Sequence, residues 1–270
     1  MIKKTLLFIG LSLAVVSLKA QKRDTLQIST ENINPNALRE GTHRYLVYFK
    51  MKKDSVRTQT QFWTRKVTKG NFNGKPTIEI YQEWEDKDSI MHIVKTISDI
   101  KTMQTFFHQT WWKIPVSRTS TAKTVNLTTV DFTNKTVEYN GKFLSDTTSG
   151  RQAKSIWEGY QSSKDKFFLN WHSDLEIFPM LPYKDGLTFV IPFYDPGTAS
   201  NYQKVAYTVT GSSVLTGYND QKIDCWLLVH EEKGNKEVFW ISKKTNEVLK
   251  LEQEVNGRIY RYKIKLGFSV

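Results

Sequence analysis

The chain contains a single cysteine, Cys225, and this scarcity excludes an internal disulfide. Because Cys225 lies far from the amino terminus, the chain also lacks the lipobox cysteine that carries a lipid anchor. Cys225 stands in a strand-like run from Ile223 to Val229, which predicts a buried thiol that behaves as a small hydrophobic residue. A reactive nucleophile is the alternative interpretation.

Long hydrophobic segments are almost absent. Only Leu6 to Leu18 forms an apolar stretch, and its 13 residues are too few to span a bilayer, which takes about 20 residues. Lys3 and Lys4 before it and Ala20-Gln21 after it complete the pattern of a secretory signal peptide. We therefore predict a signal peptide over residues 1–20 and a soluble mature protein without a transmembrane segment. The expected location is the periplasm or the extracellular space, with a peripheral position at the outer membrane as an option.

Catalytic and cofactor motifs are also missing. The sequence has no G-x-S-x-G nucleophile elbow, no phosphate-binding glycine loop and no H-E-x-x-H zinc helix. The five histidines are widely spaced, and the nearest approaches to ligand spacing are His230-Glu231-Glu232 and His172-x-Asp174. We predict no catalytic residue, no metal site and no cofactor. A metal site that folding assembles from distant residues stays open as the alternative.

The charge is basic but not clustered. Lysine and arginine number 39 against 27 acidic residues, for a formal net charge of +12. Because the basic residues are scattered, they indicate a solvated surface that can rest against anionic lipid or polysaccharide. Nucleic acid is not expected as a partner of an exported protein.

What the sequence has in abundance is aromatic residues, at 13%, a composition that favours β structure. Apolar Ile78, Ile80 and Trp84 alternate with Glu79, Tyr81, Glu83 and Glu85, which predicts a half-buried antiparallel strand. Asn-Gly pairs permit the positive φ angles that tight hairpin turns require. They predict turns at Asn73-Gly74, Asn140-Gly141 and Asn256-Gly257.

The last of these turns also predicts a register. A two-residue turn at Asn256-Gly257 would place Leu251 opposite Tyr262 and pair Glu252 with Arg261. The predicted apolar face of this hairpin consists of Leu249, Leu251, Val255, Tyr260, Tyr262, Ile264 and Leu266.

Helical signals are few. Residues 151–161 are predicted to form a short helix. A second helix is predicted over Ser173–Leu181, with Ser173 as the N-cap, Glu176 completing a capping box, and Pro179 and Pro182 ending the element. The predicted fold class is mainly β, a curved antiparallel sheet in the form of a half-barrel or open barrel, with one to three short helices on its concave side. A single β-rich domain is expected over residues 21–270, with an extended lead-in over residues 21–44.

The last hundred residues carry a family resemblance. Leu181-Pro182-Tyr183-Lys184-Asp185-Gly186 precedes an aromatic strand, and Cys225-Trp226-Leu227-Leu228-Val229 and Val238-Phe239-Trp240-Ile241-Ser242 follow it. This order of features, over residues 171–270, resembles the DUF3108 family of exported bacterial proteins of uncharacterised function. It is similar more distantly to the lipoprotein-carrier half-barrels typified by LolA and LolB. The resemblance implies a curved sheet around one or two helices with a concave apolar face. The Ala-Gln end of the signal peptide and the abundance of Lys, Asn and Thr are similar to secreted proteins of Bacteroidetes.

The aromatic residues suggest a function. We expect a non-catalytic envelope protein that binds a hydrophobic or amphipathic, lipid-like ligand, since ligand pockets are mostly apolar with a few polar groups. The expected apolar lining consists of Phe168, Trp171, Phe178 and Leu181. One alternative is an extracytoplasmic glycan hydrolase using Glu79, Glu83 and Glu85, because glycosidases need two carboxyl groups about 5–10 Å apart. Another is a structural or adaptor protein that binds an envelope protein partner.

Overall fold

A computed structural model describes residues 24–87, 89–116 and 121–267, and β-strands dominate them. The predicted signal peptide, residues 1–20, lies outside the described residues. The strands are β1 (Thr25–Gln27), β2 (Gly41–Lys50), β3 (Gln59–Phe72), β4 (Lys75–Glu85), β5 (Ile90–Asp99), β6 (Thr105–Pro115), β7 (Lys123–Asp131), β8 (Thr136–Tyr139), β9 (Lys142–Phe143), β10 (Leu169–Asn170), β11 (Thr188–Tyr194), β12 (Gln203–Thr216), β13 (Lys222–Glu232), β14 (Asn235–Ser242), β15 (Val248–Val255) and β16 (Ile259–Leu266). The helices are α1 (Arg151–Ser163) and α2 (Asp174–Ile177), and short 3-10 segments occur at Pro35–Ala37, Trp171–Ser173, Phe178–Met180 and Tyr218–Asp220.

All of these strands belong to one sheet. Its order is β1-β11-β12-β13-β14-β15-β16-β2-β3-β4-β5-β6-β7-β8-β9, with β10 also paired to β11. Chain neighbours pair antiparallel from β2 to β9 and from β11 to β16, and β16 joins these two halves through β2. Only β1 and β10 run parallel to their partner in the described part of the chain. The sheet is curved but not closed, because the path ends at β1 and β9, which confirms the predicted fold class.

The concave side of the sheet is largely filled. The stretch from Trp171 to Leu181, which contains α2, contributes Leu175, Phe178 and Leu181 to the main hydrophobic cluster. Phe178 packs edge-on against Phe239 of β14, with ring centroids 4.6 Å apart. A second cluster joins Ile156 and Tyr160 of α1 to β7 and β8. No described helix has both the length and the apolar character needed to cross a membrane.

The residues before the first long strand are more structured than a simple lead-in. The predicted extended stretch, residues 21–44, contains β1 and the 3-10 segment Pro35–Ala37, and β2 already begins at Gly41. Asn34 is the N-cap of the 3-10 segment, and its side-chain oxygen accepts a hydrogen bond from the backbone N–H of Asn36. This stretch therefore forms regular structure, including a strand of the sheet, rather than an extended lead-in.

The three Asn-Gly turns are confirmed. Asn73, Asn140 and Asn256 all have φ near +50°, and the glycine that follows each of them is also in the positive-φ region. These dihedral angles cost little for asparagine and glycine and reverse the chain within a few residues. The turns connect β3 to β4, β8 to β9, and β15 to β16.

The predicted register of the last hairpin is wrong by one residue. Val255 pairs with Ile259, so the connection contains three residues, and Leu251 lies opposite Lys263 rather than Tyr262. Because side chains alternate between faces, a one-residue slip moves every side chain of β16 to the other side of the sheet. Lys263 and Lys265 are therefore buried, while Tyr260 and Tyr262 share the outer face with Glu252 and Glu254.

The helix over residues 151–161 is confirmed as α1, but the second helix differs from its prediction. Residues 171–180 form two 3-10 segments around the single turn α2. The predicted capping box is wrong, because the Ser173 side chain makes no capping hydrogen bond and Glu176 bonds to Arg65 instead. Pairing of the buried Arg65 guanidinium with the Glu176 carboxylate thus stabilises this segment more than a local helix cap would.

Candidate functional site

A cavity of about 380 Å³ opens on the inner side of the sheet, between β3–β6, β16 and the loops at Trp171 and Asp195. Four tryptophans form its aromatic wall: Trp63, Trp84, Trp112 and Trp171. Charged side chains complete the lining, mainly from β3, β16 and the 171–174 segment. Aromatic surface and charged side chains therefore meet in one open cavity.

The register of β3 to β6 explains why the rings gather. Trp63 lies opposite Trp84, Trp84 opposite His92, and His92 opposite Trp112. Residues directly opposite each other share a face, so these four rings form a row across four strands. Trp63 stacks on Trp84 with centroids 3.7 Å apart, and His92 stacks on Trp112 at 3.4 Å. Trp84 meets Trp112 edge to face, so Trp63, Trp84 and Trp112 present an angled aromatic wall to the cavity.

Arg65 is buried beneath this wall, two residues along β3 from Trp63. Its Nε donates to Glu176 Oε1 at 2.7 Å, its Nη2 donates to Glu176 Oε2, and the same Nη2 donates to the backbone carbonyl of His172 at 2.6 Å. Burial opposes the charged guanidinium, yet the attraction of Glu176 keeps the pKa of Arg65 above its ordinary value. The pair ties α2 to the sheet and holds Trp171 and His172 at the cavity.

Two cations of β16 also line the cavity. Lys263 Nζ lies 3.4 Å from Asp174 Oδ2 and 4.5 Å from the centroid of the Trp63 ring. Burial lowers the pKa of Lys263 to about 8, an effect that Asp174 offsets in part. Arg261 is less well compensated, because its Nη2 is 4.0 Å from Glu237 and its buried Nε has no hydrogen-bond partner among the described residues.

Three histidines meet at the end of the cavity nearest β5 and β6. The rings of His92 and His172 have centroids 5.4 Å apart, and those of His108 and His172 are 5.0 Å apart. Asp195 Oδ1 is in ion-pair contact with His172 Nδ1, although the two atoms do not have hydrogen-bond geometry. His92 and His108 are fully buried. Burial lowers the pKa of both, to about 2 for His92, and so keeps the two rings neutral.

The hydrogen bonds assign the protons of two of these rings. His92 Nδ1 is 2.9 Å from the carbonyl oxygen of Trp111, which can only accept, so the proton of neutral His92 is on Nδ1. His92 Nε2 is therefore a lone pair, and it lies 3.3 Å from His172 Nε2, which must donate. In neutral His172 this leaves a lone pair on Nδ1, facing the Asp195 carboxylate. Two acceptors in direct contact repel each other, so either a proton lies between them or the two side chains separate to admit a cation.

Asn170 and Thr96 hold the third ring. His108 Nδ1 is 2.9 Å from both Thr96 Oγ1 and Asn170 Nδ2. His108 Nε2 is buried and has no hydrogen-bond partner within the described ranges. Asn170 Oδ1 accepts from the backbone N–H of His172, so one side chain positions both His108 and His172.

The predicted lining residues occupy two kinds of position. Trp171 lines the cavity and stacks on Phe193 with centroids 5.2 Å apart. Phe168, Phe178 and Leu181 are buried in packed side chains and do not line this cavity. Contact of these three residues with a ligand stays a prediction.

Most of the site was not found by sequence reasoning. It consists of Trp63, Trp84, Trp112, Arg65, Lys263, Arg261 and the histidine cluster with Asp195. For some of them the sequence does contain a signal, namely a polar residue at a position that strand alternation assigns to the interior. Such positions are held by Arg65, Gln82, His92 and His108. A polar residue at an inward position costs free energy unless it is paired, so it marks an internal network or a site.

The acidic residues of the alternative hydrolase lie elsewhere. Glu79, Glu83 and Glu85 point to the outer side of β4 and do not line the cavity, and Glu83 accepts a hydrogen bond from Tyr81 Oη at 2.9 Å. Cys225 is buried, and burial raises the pKa of its thiol to about 11. The thiolate is therefore disfavoured at neutral pH, as expected for a packing residue.

Comparisons with known proteins give a family and one structural neighbour. No protein of curated function matches this chain. A solved structure described as a β-barrel-like protein of domain of unknown function DUF1849 from Brucella abortus is similar over 86% of this chain and 99% of its own, with 9% sequence identity and a TM-score of 0.40. The family model for proteins of unknown function named DUF3108 matches residues 44–265. Since that match extends from β2 to β16, the chain belongs to the DUF3108 family.

Proposed function

We propose that this protein is a non-catalytic envelope protein that binds an amphipathic ligand in the tryptophan-walled cavity. The observation that carries the proposal is the row of indole rings beside Arg261 and Lys263. Small-molecule sites are clefts of about 300–1,000 Å³, mostly apolar, with a few placed polar groups. The cavity, at about 380 Å³, has the size of a small site of this kind.

The apolar part of the ligand would pack in the corner between the indole rings of Trp84 and Trp112, which meet edge to face with centroids 5.4 Å apart. Both side chains are half-buried, so a ligand can contact them without displacing the core. The stretch from Trp171 to Leu181 fills much of the remaining inner face, so a ring or the first part of a chain is the portion enclosed. Its burial would contribute about 25 cal/mol per Å² before the costs of association.

The polar part of the ligand would be anionic. Lys263 already has Asp174 as a partner, whereas Arg261 has a buried Nε that bonds to no described residue. A carboxylate or phosphate oxygen at that position would satisfy the donor and compensate its charge. An anionic headgroup is therefore preferred over a neutral or cationic one.

The location follows from the same proposal. The signal-peptide pattern of residues 1–20 supports export, and the excess of basic over acidic residues in the rest of the chain supports a surface that rests against anionic lipid or polysaccharide. An envelope protein in this position would meet amphipathic molecules.

Calorimetric titration with three ten-carbon probes tests the polar part. Decanoate, decanol and decyltrimethylammonium share a chain and differ in the charge of the headgroup. We expect decanoate to bind tightest. Arg261→Gln should weaken decanoate about tenfold and leave decanol unchanged, since hydrogen bonds to charged groups contribute about 1.5–3 kcal/mol. Arg258→Gln, at an exposed turn position of the same hairpin, is the control.

The aromatic part is tested with the same probes. Trp112→Leu should weaken all binding probes about tenfold, because it removes aromatic contact and buried area. Trp157→Leu is the matched control, since Trp157 packs in the second cluster on α1, away from the cavity lining. Equal affinity for all three headgroups, or indifference to Trp112→Leu, would contradict the proposal. Native mass spectrometry of protein from its own host then shows whether an amphipathic molecule co-purifies.

A further inference from the structure

We propose that His108, His172 and Asp195 form a site for a divalent transition-metal ion at the wall of the cavity. One ligand atom from each residue lies within 4.8 Å of the other two. The three residues come from β6, the 171–173 segment and the loop after β11, so no short sequence motif contains all of them. This inference does not depend on the amphipathic ligand.

The first argument is that the same three side chains carry unsatisfied atoms. His108 Nε2, His172 Nδ1 and Asp195 Oδ1 are buried and make no hydrogen bond to any described residue. Buried polar atoms are normally paired, because an unpaired one costs roughly 1–3 kcal/mol. The residues that carry these atoms are the same three that bring ligand atoms within 4.8 Å of one another, and a shared cation would satisfy all of them.

The second argument is the orientation of His172. His172 Nε2–H donates a hydrogen bond to His92 Nε2, so Nδ1 of neutral His172 presents a lone pair to the Asp195 carboxylate. Metal-binding histidines characteristically donate their other ring N–H to a fixed acceptor, which sets the tautomer. The carbonyl of Trp111 sets the tautomer of His92, and His92 in turn sets the tautomer of His172. The acceptor that a metal-binding His172 needs is therefore already in place.

The third ligand requires one local adjustment. His108 binds a cation through Nε2 when its Nδ1 proton is donated to Thr96 Oγ1, 2.9 Å away. The Asn170 amide nitrogen, also at 2.9 Å, must then turn away from Nδ1. In Asn170→Asp, a carboxylate oxygen would replace the amide nitrogen and accept the Nδ1 proton of His108. The other carboxylate oxygen would still accept from the backbone N–H of His172.

The donor set identifies the class of ion. Two imidazoles and one carboxylate suit Zn²⁺ or Fe²⁺, whereas Mg²⁺ and Ca²⁺ prefer oxygen ligands. Ligand atoms of tetrahedral zinc, with bonds of about 2.0–2.1 Å, lie about 3.4 Å apart, so binding must separate His172 and Asp195, which are in direct contact, and set His108 at the same spacing from both. His172 and Asp195 both line the cavity, which leaves the remaining coordination position open to it.

Chelator-treated protein titrated with Zn²⁺, and separately with Co²⁺, tests the site. We expect one ion per chain, visible ligand-field absorption from Co²⁺ bound to nitrogen and oxygen, and a melting temperature that rises with zinc concentration. Asp195→Asn and His108→Ala should weaken binding at least about 100-fold, and Thr96→Val about 10-fold, as for other supporting residues. His43→Ala, which removes a histidine bonded to the carbonyl of Arg39 near the surface, is the control and should bind zinc normally.

The outcomes are separable from folding defects. Asp195→Asn keeps the shape of the side chain, so a normal melting temperature without zinc combined with lost binding supports the site. Asn170→Asp should bind zinc at least as tightly as the natural protein. Absence of stoichiometric Zn²⁺ and Co²⁺ uptake would overturn the proposal and assign the His172–Asp195 contact to a bridging proton. Equal affinity for Mg²⁺, or uptake that Asp195→Asn and His108→Ala do not change, would overturn it as well.

Discussion

At the scale of single residues, the interior of this protein depends on compensated charge. Arg65, Lys263 and Lys265 are at most 4% exposed, and each has a carboxylate in contact: Glu176, Asp174 and Glu247. Transfer of an unpaired ion out of water costs several kcal/mol even after relaxation, so each pair must remain complete. Arg261, whose Nε lacks a described partner, is the least compensated of the inward cations, which is why it can recognise an anion.

Loss of one partner of the Arg65–Glu176 pair should be severe. Glu176→Gln removes the carboxylate that is hydrogen-bonded to the buried guanidinium, leaving only Asp174 at 3.8 Å, and should lower the free energy of unfolding by about 3 kcal/mol. Urea denaturation measures the change. The double variant Arg65→Met, Glu176→Leu should be less destabilised than Glu176→Gln, since it removes both charges of the pair and leaves Asp174 with Lys263 as its partner. Glu158→Gln breaks the exposed pair with Lys154 and should cost less than about 0.5 kcal/mol. Equal losses at Glu176 and Glu158 would contradict this account.

At the scale of elements, α1 is positioned by a close approach. A Cβ on Gly159 would lie 2.3 Å from the carbonyl oxygen of Ser200, well inside van der Waals contact. Ser200 and Thr198 bond through their side-chain hydroxyls to the backbone carbonyl of Asp195. The glycine therefore lets the helix support the loop that carries Asp195 to the cavity.

Gly159→Ala should consequently destabilise the protein although alanine is the better helix former. The propensity gain is about 1 kcal/mol, but the overlap with backbone forces displacement that costs about 1–3 kcal/mol. We expect a net fall in the urea midpoint and weaker metal binding. Gln152→Ala, at an exposed position of the same helix, should be neutral or slightly stabilising. A rise in stability for Gly159→Ala would show that the loop yields freely.

The β15–β16 hairpin illustrates how one element decides the chemistry of the interior. With a two-residue turn, Arg261 would face outward beside Glu252. The three-residue connection instead turns Arg261, Lys263 and Lys265 inward. The cavity therefore owes its cations to the geometry of a single turn.

At the scale of the whole molecule, the interior is sensitive to acid. His92 and His108 stay neutral because burial lowers the pKa of each, whereas in the unfolded chain both take up protons at a pKa of about 6.5. Since the unfolded state binds more protons below pH 6.5, the stabilising effect of these rings is complete above that pH and is lost as the pH falls.

The free energy of unfolding should therefore fall between pH 7 and pH 5, by about 2 kcal/mol for each of the two histidines. Urea titrations at the two pH values measure the change. His108→Gln, which can still bond to Thr96 and Asn170, should remove about half of the dependence. His43→Gln should leave it intact. The same pH dependence in His108→Gln as in the natural sequence would show that another group is responsible.

Much of the architecture was predictable because its signals are local. Alternation in β4, positive-φ residues in the Asn-Gly turns and the pattern of α1 each depend on a few consecutive residues. The capping box at Ser173 failed because Arg65, 111 residues from Glu176, competes for that carboxylate. A pattern of four consecutive residues contains no information about a competing partner so distant in the chain.

The sequence by itself determined a mainly β chain, its hairpin turns and its family, since hydrophobic periodicity and turn chemistry act within one element. Tertiary structure alone decided the site. Strand order and register placed Trp63, Trp84, His92 and Trp112 in one row, and packing brought His108, His172 and Asp195 together from three segments. The physical reason is that lateral pairing and burial join residues far apart in the chain, and a shift of one position in register would send them to the opposite face.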